Sequence, residues 1–390
     1  MTSAPLTAVI DTRALVNNVQ LLQDRAAGKQ LVVIVKADAY GHGVNLVVPA
    51  LARAGVTHFG TATISEAVAV QDLLADRSGQ SDDGDQDSQS DQRDHTVMCW
   101  LYEPQADLSE PVERGIELGV GSPAALEAIF NAAHTTGKTA RIHLKVDTGL
   151  GRNGLNRMQL QLVLEQLSTA QGVQVCGVMT HLACADEPKN DFNTIQVERF
   201  NQDVDTVKTT LGIDTLMEHI ANSPAILSMD PVPGNTVRAG VAMYGLSPFE
   251  GENRAYSEGL QPAMTLVSHV CAAKDVPAGQ GASYGLRYTT SAPSKFALIA
   301  GGYGDGIPRQ ASQKAHVAIH GKAFPVVGSI AMDQMIADVG DAQVSPGDPV
   351  VVWGNGGPHV DEWAQWAGTI NYDIVTRLGA RVPRIEQEHT

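Results

Sequence analysis

Eight short apolar runs, each followed by a stretch carrying helix signals, constrain this chain more than any other feature of its sequence. They are 31–36 (LVVIVK), 57–62 (THFGTA), 96–101 (TVMCWL), 116–120 (IELGV), 141–146 (RIHLKV), 173–181 (VQVCGVMTH), 217–221 (MEHIA) and 236–241 (TVRAGV). Runs such as LVVIVK, rich in β-branched residues, read as strands buried on both faces, as a parallel sheet requires. Between the runs, Thr63 and Glu66 form a capping box, and Ser122 caps a helix that opens on Pro123. Eight strand–helix repeats predict an α/β fold, a closed (β/α)8 barrel over residues 1–257. From residue 258 glycine, proline and short alternating segments predict a mostly β C-terminal domain over 258–390, closed by the helices DEWAQWAG and NYDIVTRLG. A chain of 390 residues is long enough for two such cores.

Composition narrows the function classes. Hydrophobic residues at 43% and charged residues at 18% suit a globular protein, and no apolar run reaches the roughly 20 residues that span a bilayer. The first residues show no basic stretch followed by an apolar one, so no secretory signal is expected. Cys99, Cys176, Cys184 and Cys271 form no C-x-x-C pair or disulfide framework and suit a reducing cytoplasm. A net charge of −16 argues against nucleic acid or an anionic membrane as partner. Part of that charge is local: residues 78–95 hold six Asp against one Arg and nothing aliphatic or aromatic, which predicts a disordered surface insert. Their spacing fits no Ca²⁺ loop, and no Cys/His cluster points to a metal elsewhere.

Barrel enzymes place their chemistry at the C-terminal ends of the strands. Lys36 ends the first run, where partial desolvation lowers an amine's pKa and frees it as nucleophile or base; equally, a strand-end lysine could simply snorkel to solvent. Lys145 and Arg152 stand at and just past the end of the fifth run, His181 ends the sixth, Asn222 and Ser223 follow the seventh, and Arg238, Gly240 and Val241 lie in the eighth. Five strand ends converging with basic or phosphate-compatible residues favour a working site. Ser223, read as a helix N-cap, would contribute to a phosphate site. Two decoys fall away. Gly149-Leu-Gly-Arg-Asn-Gly154 matches G-x-G-x-x-G but lacks the later acidic residue and carries Arg152 in the loop. Gly137-Lys-Thr139 resembles the tail of a phosphate-binding loop, but Ala132 stands where its first glycine is required.

In order along the chain, KADAYGHG, KVDTGLGRNG, HIANSP, VRAGVAMYGL, SYG, GYGDG and MDQ resemble the bacterial alanine racemases, from Lys36 to the last helix. The resemblance implies pyridoxal 5'-phosphate held as a Schiff base on Lys36, with Tyr40, Ser223, Gly240, Val241 and Tyr372 at its phosphate. Arg238 would face the pyridine nitrogen, where a weak proton donor disfavours transamination. His181 would support Arg238, and Arg152 would hold the substrate carboxylate. Lys145 would be the position whose carbamylated side chain orients that arginine. Tyr284 matches the second catalytic base, Met332 and Asp333 the inner substrate pocket, and Tyr303 and Arg309 the access corridor. Ala331 stands where a cysteine often precedes Met-Asp-Gln in the family. Lys36 and Tyr284 would meet across a homodimer interface, making shared active sites.

Racemisation needs a base on each face of the α-carbon, since one base alone returns the proton to the side it left. A tyrosine is a poor base at neutral pH, and a cationic His181–Arg238 neighbourhood would assist it. The resemblance thus implies an isomerase that interconverts L- and D-alanine and supplies D-alanine for peptidoglycan. A serine or broad-specificity racemase would share every motif. A decarboxylase of the same architecture would need a cysteine and an acidic diamine pocket that the second domain does not show. A non-catalytic pyridoxal-phosphate carrier would resemble the barrel alone.

Overall fold

A computed structural model describes residues 4–75 and 95–388, so the insert expected over 78–95 lies outside the described residues except for His95. The chain forms two compact units, one of Val16–Ala39 with Val47–Leu260, the other of Met1–Leu15, Tyr40–Leu46 and Gln261–Thr390.

The strand β1 (Leu6–Ile10) belongs to the second unit, and the eight that follow close the first. These are β2 (Gln30–Ile34), β3 (His58–Gly60), β4 (Thr96–Cys99), β5 (Glu117–Val120), β6 (Ala140–Lys145), β7 (Val173–Met179), β8 (Met217–His219) and β9 (Thr236–Ala239). Every neighbour is parallel, and β9 pairs back to β2 through Thr236–Ala239 beside Gln30–Val33. Each of the eight apolar runs holds one strand, because a strand covered on both faces has no polar side to interrupt it. Val33, Leu118, Ile142 and Val237 are fully buried. The helix Pro123–Thr136 starts where the sequence indicates: Ser122 Oγ accepts the Ala125 amide at 3.2 Å. It stops at Gly137, whose φ of 65° makes it the left-handed cap. The glycine of the discarded phosphate-loop resemblance is thus a helix terminator.

The second unit is built on β10 (Met264–Val276). Its first half pairs with β1 and with Pro349–Trp353, and its second half with Ser294–Ala300. The register shifts between Val270 and Ala272, so Cys271 is the bulge that turns one strand toward two neighbours. Six strands thereby close on themselves, while β1 carries Arg384–Glu386 on its far edge. Leu6, Ile10, Leu266, Ile299, Val350, Trp353 and Trp363 are buried there. Trp363 lies on the expected helix Val360–Ala367, donates its Nε1–H to the Val352 carbonyl at 2.7 Å and meets the Trp353 ring edge-on at 5.8 Å. The loop Tyr40–Leu46 packs against the helix Asn371–Thr376. At Gly41, with φ 77°, a Cβ would lie 2.1 Å from the Val375 carbonyl oxygen, so only glycine permits this approach. Arg384 Nε fixes the same loop through the Gly41 carbonyl at 2.9 Å.

Candidate active site

Strand β2 ends at Ile34, two residues earlier than the apolar run suggested, although the Val35 amide still donates to Gly60 O at 2.9 Å. Lys36 then opens a single turn, Lys36–Tyr40, in which Ala37, Asp38, Ala39 and Tyr40 have φ of 53°, 53°, 54° and 52°. L-residues avoid this left-handed region at a cost of about 1–2 kcal/mol each, so the surroundings must impose it. Glu66 does much of that. Its Oε1 accepts the Ala37 amide at 2.6 Å, while Oε2 accepts the Ala62 and Thr63 amides at 3.0 Å at the start of the helix Ile64–Ala75. The capping glutamate was legible in the sequence; its second grip, beside Lys36, was not. Burial is the main cause that lowers the Lys36 amine's pKa, Arg152 lowers it further, and Glu66 opposes.

Around Lys36 the barrel gathers positive charge. Lys145, at the end of β6, is held down to about 8 by burial and then by Arg238, Arg152 and Lys36, with Asp147 opposing. Arg238, inside β9, is pushed by burial to about 10 and stays cationic at neutral pH. Its guanidinium donates to the His219 carbonyl, to Thr180 O at 2.6 Å, and lies 3.3 Å from His181 Nδ1. His181 follows β7 by two residues and is brought to about 3 by burial and then by Arg238, Arg152, Lys145 and Lys36. It is therefore a neutral imidazole, and the positive charge of the His181–Arg238 neighbourhood is that of the guanidinium. Gln196, absent from the sequence-level candidates, holds the His181 carbonyl at 3.1 Å and Thr148 Oγ1 at 2.9 Å. Arg152 is exposed on the loop after β6. That loop is shaped by Asp147, whose Oδ1 accepts the Gly149 and Gly151 amides at 3.0 and 3.1 Å. The G-x-G-x-x-G glycines thus serve a carboxylate-centred turn.

Ser223 is not the cap of its helix. Asn222 is, its Oδ1 accepting the Ala225 amide at 3.3 Å, and Ser223 is the first residue of the short helix Ser223–Ser228. The Ser223 hydroxyl is thereby free to reach the next strand end, where it accepts the Gly240 amide at 2.9 Å and the Ala242 amide at 3.4 Å. This places the start of Ser223–Ser228 beside the start of the turn Val241–Tyr244, and helix starts leave their first N–H groups without intrahelical partners.

The remaining candidates lie in the second unit. Tyr40 and Tyr372 face each other with ring centroids 6.2 Å apart, and burial pushes the Tyr40 phenol up to about 12. Tyr284 is 73% exposed on the turn Tyr284–Leu286, between Ser283 at φ 57° and Leu286 at φ 46°. Ser283 Oγ donates to Ser329 O at 2.6 Å and Ser329 Oγ donates to Tyr284 O at 3.2 Å. The same segment continues to Met332, whose carbonyl accepts the Gly304 amide at 2.9 Å next to Tyr303. Arg309 is exposed on the following turn. Asp333 is held by Arg381, which donates to it at 2.9 Å and to Asp305 at 3.0 Å. No motif marked Arg381.

One consequence is measurable on cofactor-free protein. Between pH 8 and 10.5 the unfolded chain keeps a proton on Lys145 that the folded one has lost, so stability rises with pH through that window. Lys145→Met removes the cost of the buried ammonium. It is expected to raise stability at pH 7 by about 1–3 kcal/mol, with the gain fading toward pH 10.5. An equal gain at both pH values in urea titrations would contradict this origin.

Two family profiles match: alanine racemase, N-terminal domain, over residues 10–248, and alanine racemase, C-terminal domain, over 263–386. An alanine racemase of Thermobifida fusca is 40% identical over 384 residues, 97% of each chain. The crystal structure of alanine racemase from D-cycloserine-producing Streptomyces lavendulae superposes with a TM-score of 0.90 at 39% identity, covering 100% of this chain and 99% of that one. That from Bartonella henselae, with covalently bound pyridoxal phosphate, gives 0.84 at 27% identity over 98% and 100% of the two chains. With both of its domains matched in order and its barrel closed around Lys36, this chain belongs to the alanine racemase family.

Proposed function

We propose that this protein interconverts L- and D-alanine with pyridoxal phosphate carried on Lys36. The observation that supports this most is the half-buried Lys36, its amine depressed, in a barrel whose deepest cation, Arg238, is held by carbonyls and a neutral imidazole rather than by a carboxylate. A guanidinium satisfied this way keeps donors for an aromatic ring nitrogen. The paired helix starts at Ser223 and Val241 suit a phosphate, as do the phenols of Tyr40 and Tyr372.

Pyridoxal phosphate, when bound, withdraws the electron pair that loss of the α-proton leaves on the substrate. The chain's own residues do the rest. Lys36 Nζ anchors the cofactor and serves one face of the α-carbon. Tyr284 Oη, from a second copy of this chain, serves the other. Arg152 holds the carboxylate, oriented from Lys145, and Met332 and Asp333 of the second copy limit the side chain to a methyl group. Tyr303 and Arg309 line the approach. The dimer is supported by the exposure of Tyr284, Leu286, Tyr303 and Met332, at 73, 66, 43 and 52%, large apolar groups that a lone chain would leave in water. Four free cysteines suit the cytoplasm, where D-alanine for peptidoglycan is made. Among the described residues no helix is long and apolar enough to cross a membrane.

Cofactor-loaded protein incubated with single L-amino acids and resolved by chiral chromatography is expected to bring alanine to equal amounts of both enantiomers, well ahead of serine. Serine turning over as fast as alanine would shift the assignment to a broad-specificity racemase, and no D-amino acid at all would refute it.

A further inference from the structure

A line of buried polar groups crosses the barrel interior from the N-terminal ends of the strands to the C-terminal ends. Glu117, the first residue of β5, is 1% exposed, and its Oε1 takes Arg141 Nη2 at 2.5 Å. Its Oε2 lies 2.6 Å from His143 Nε2, and His143 Nδ1 lies 2.9 Å from His219 Nε2; neither ring is exposed at all. His219 closes β8, and its carbonyl accepts Arg238 Nη1.

Burial raises the Glu117 pKa, but the hydrogen bonds and charges of His143 and Arg141 outweigh it and hold the group at about 2, so it is a carboxylate and can only accept. His143 therefore donates from Nε2, and its Nδ1 shares a hydrogen bond with His219 Nε2. His219 Nδ1 is buried without a hydrogen-bond partner among the described residues. Gly177 of β7 makes room for the arrangement, since a Cβ there would come 2.5 Å from His143 Nδ1. A core that needed only packing would not maintain an uncompensated nitrogen, a buried carboxylate and a clearance glycine together.

We infer that Glu117 and His143 are positioning residues that hold the His219 backbone, and through its carbonyl set where the Arg238 guanidinium stands. This rests on the proposed role of Arg238 at the cofactor's ring nitrogen, and it adds a pair of residues that work from the opposite end of the barrel.

The test compares wild-type holoenzyme with Glu117→Gln, which keeps the side chain's shape and removes the charge that holds His143 and Arg141. The expected result is a kcat for alanine lowered about tenfold or more, the size typical of a partner one step removed from a working group, with KM within about twofold. The absorption of the bound cofactor should shift, and in cofactor-free protein the 15N resonances of the His219 ring and the Arg238 guanidinium should move. Unchanged kcat, cofactor absorption and Arg238 resonance, whatever the melting temperature does, would overturn the inference. If Glu117→Gln does not fold, Gly177→Ala carries the same readouts, because it keeps every member while its Cβ would press on the His143 ring at 2.5 Å and on the Met217 carbonyl at 2.6 Å. Failure of both to fold would assign the line to folding alone and overturn the inference too. A wild-type protein that neither binds the cofactor nor racemises alanine would instead refute the functional reading, and the cofactor-free resonances would still decide whether Glu117 controls Arg238.

Discussion

Lys36→Ala is expected to reduce alanine racemisation by about a thousandfold or more, the loss that follows when a positioned base is deleted. It should also abolish covalent retention of the cofactor, seen as the loss of the protein-bound absorption band after borohydride reduction and denaturation. The effect should leave the fold intact, because the Lys36 side chain is half-buried and the turn that carries it is fixed through the Ala37 and Ala39 amides. Near-wild-type racemisation by Lys36→Ala would remove this lysine from the chemistry altogether.

The second large effect is a recovery. Tyr284→Phe should mainly remove proton abstraction from the L-enantiomer and Lys36→Ala that from the D-enantiomer, so each homodimer is expected to be inactive. Mixed under subunit exchange, half the dimers become heterodimers, each with one site that has both Lys36 and Tyr284. Activity should then rise to about a quarter of the wild-type value. No recovery once mass spectrometry has proved heterodimers would place both bases on one chain and remove the reason for a shared site.

The barrel could be read from the sequence because parallel strands covered on both faces leave continuous apolar runs; six contain their strand whole, and the other two miss only its first residue, Gln30 or Ala140. The left-handed turn at Ala37–Tyr40 could not, since none of those residues favours it; Glu66 and the barrel enforce it from outside the segment. Ser223 was recognised as a site residue but given its neighbour's job, because Asn222 and Ser223 are both competent caps and only the Gly240 amide tells them apart. Glu117, His143 and His219 lie within the runs IELGV, RIHLKV and MEHIA and belong to no recognisable motif. Each strand's own sequence is silent about which side chain the next strand will bring beside it, so their alignment emerges only when the barrel closes.

The place of β1 in the second unit's sheet has a consequence for how the molecule is made. Leu6–Ile10 leaves the ribosome ahead of every barrel strand, yet its partners, Met264–Val276 and Arg384–Glu386, follow all of them. At about 5–20 residues per second the strand waits on the order of ten seconds or more before the first of them exists. All eight barrel strands have emerged by then. Throughout that interval LTAVI is a bare apolar edge, the kind of segment that pairs with any strand within reach. Chaperone occupancy on the nascent chain is therefore best looked for at Leu6–Ile10.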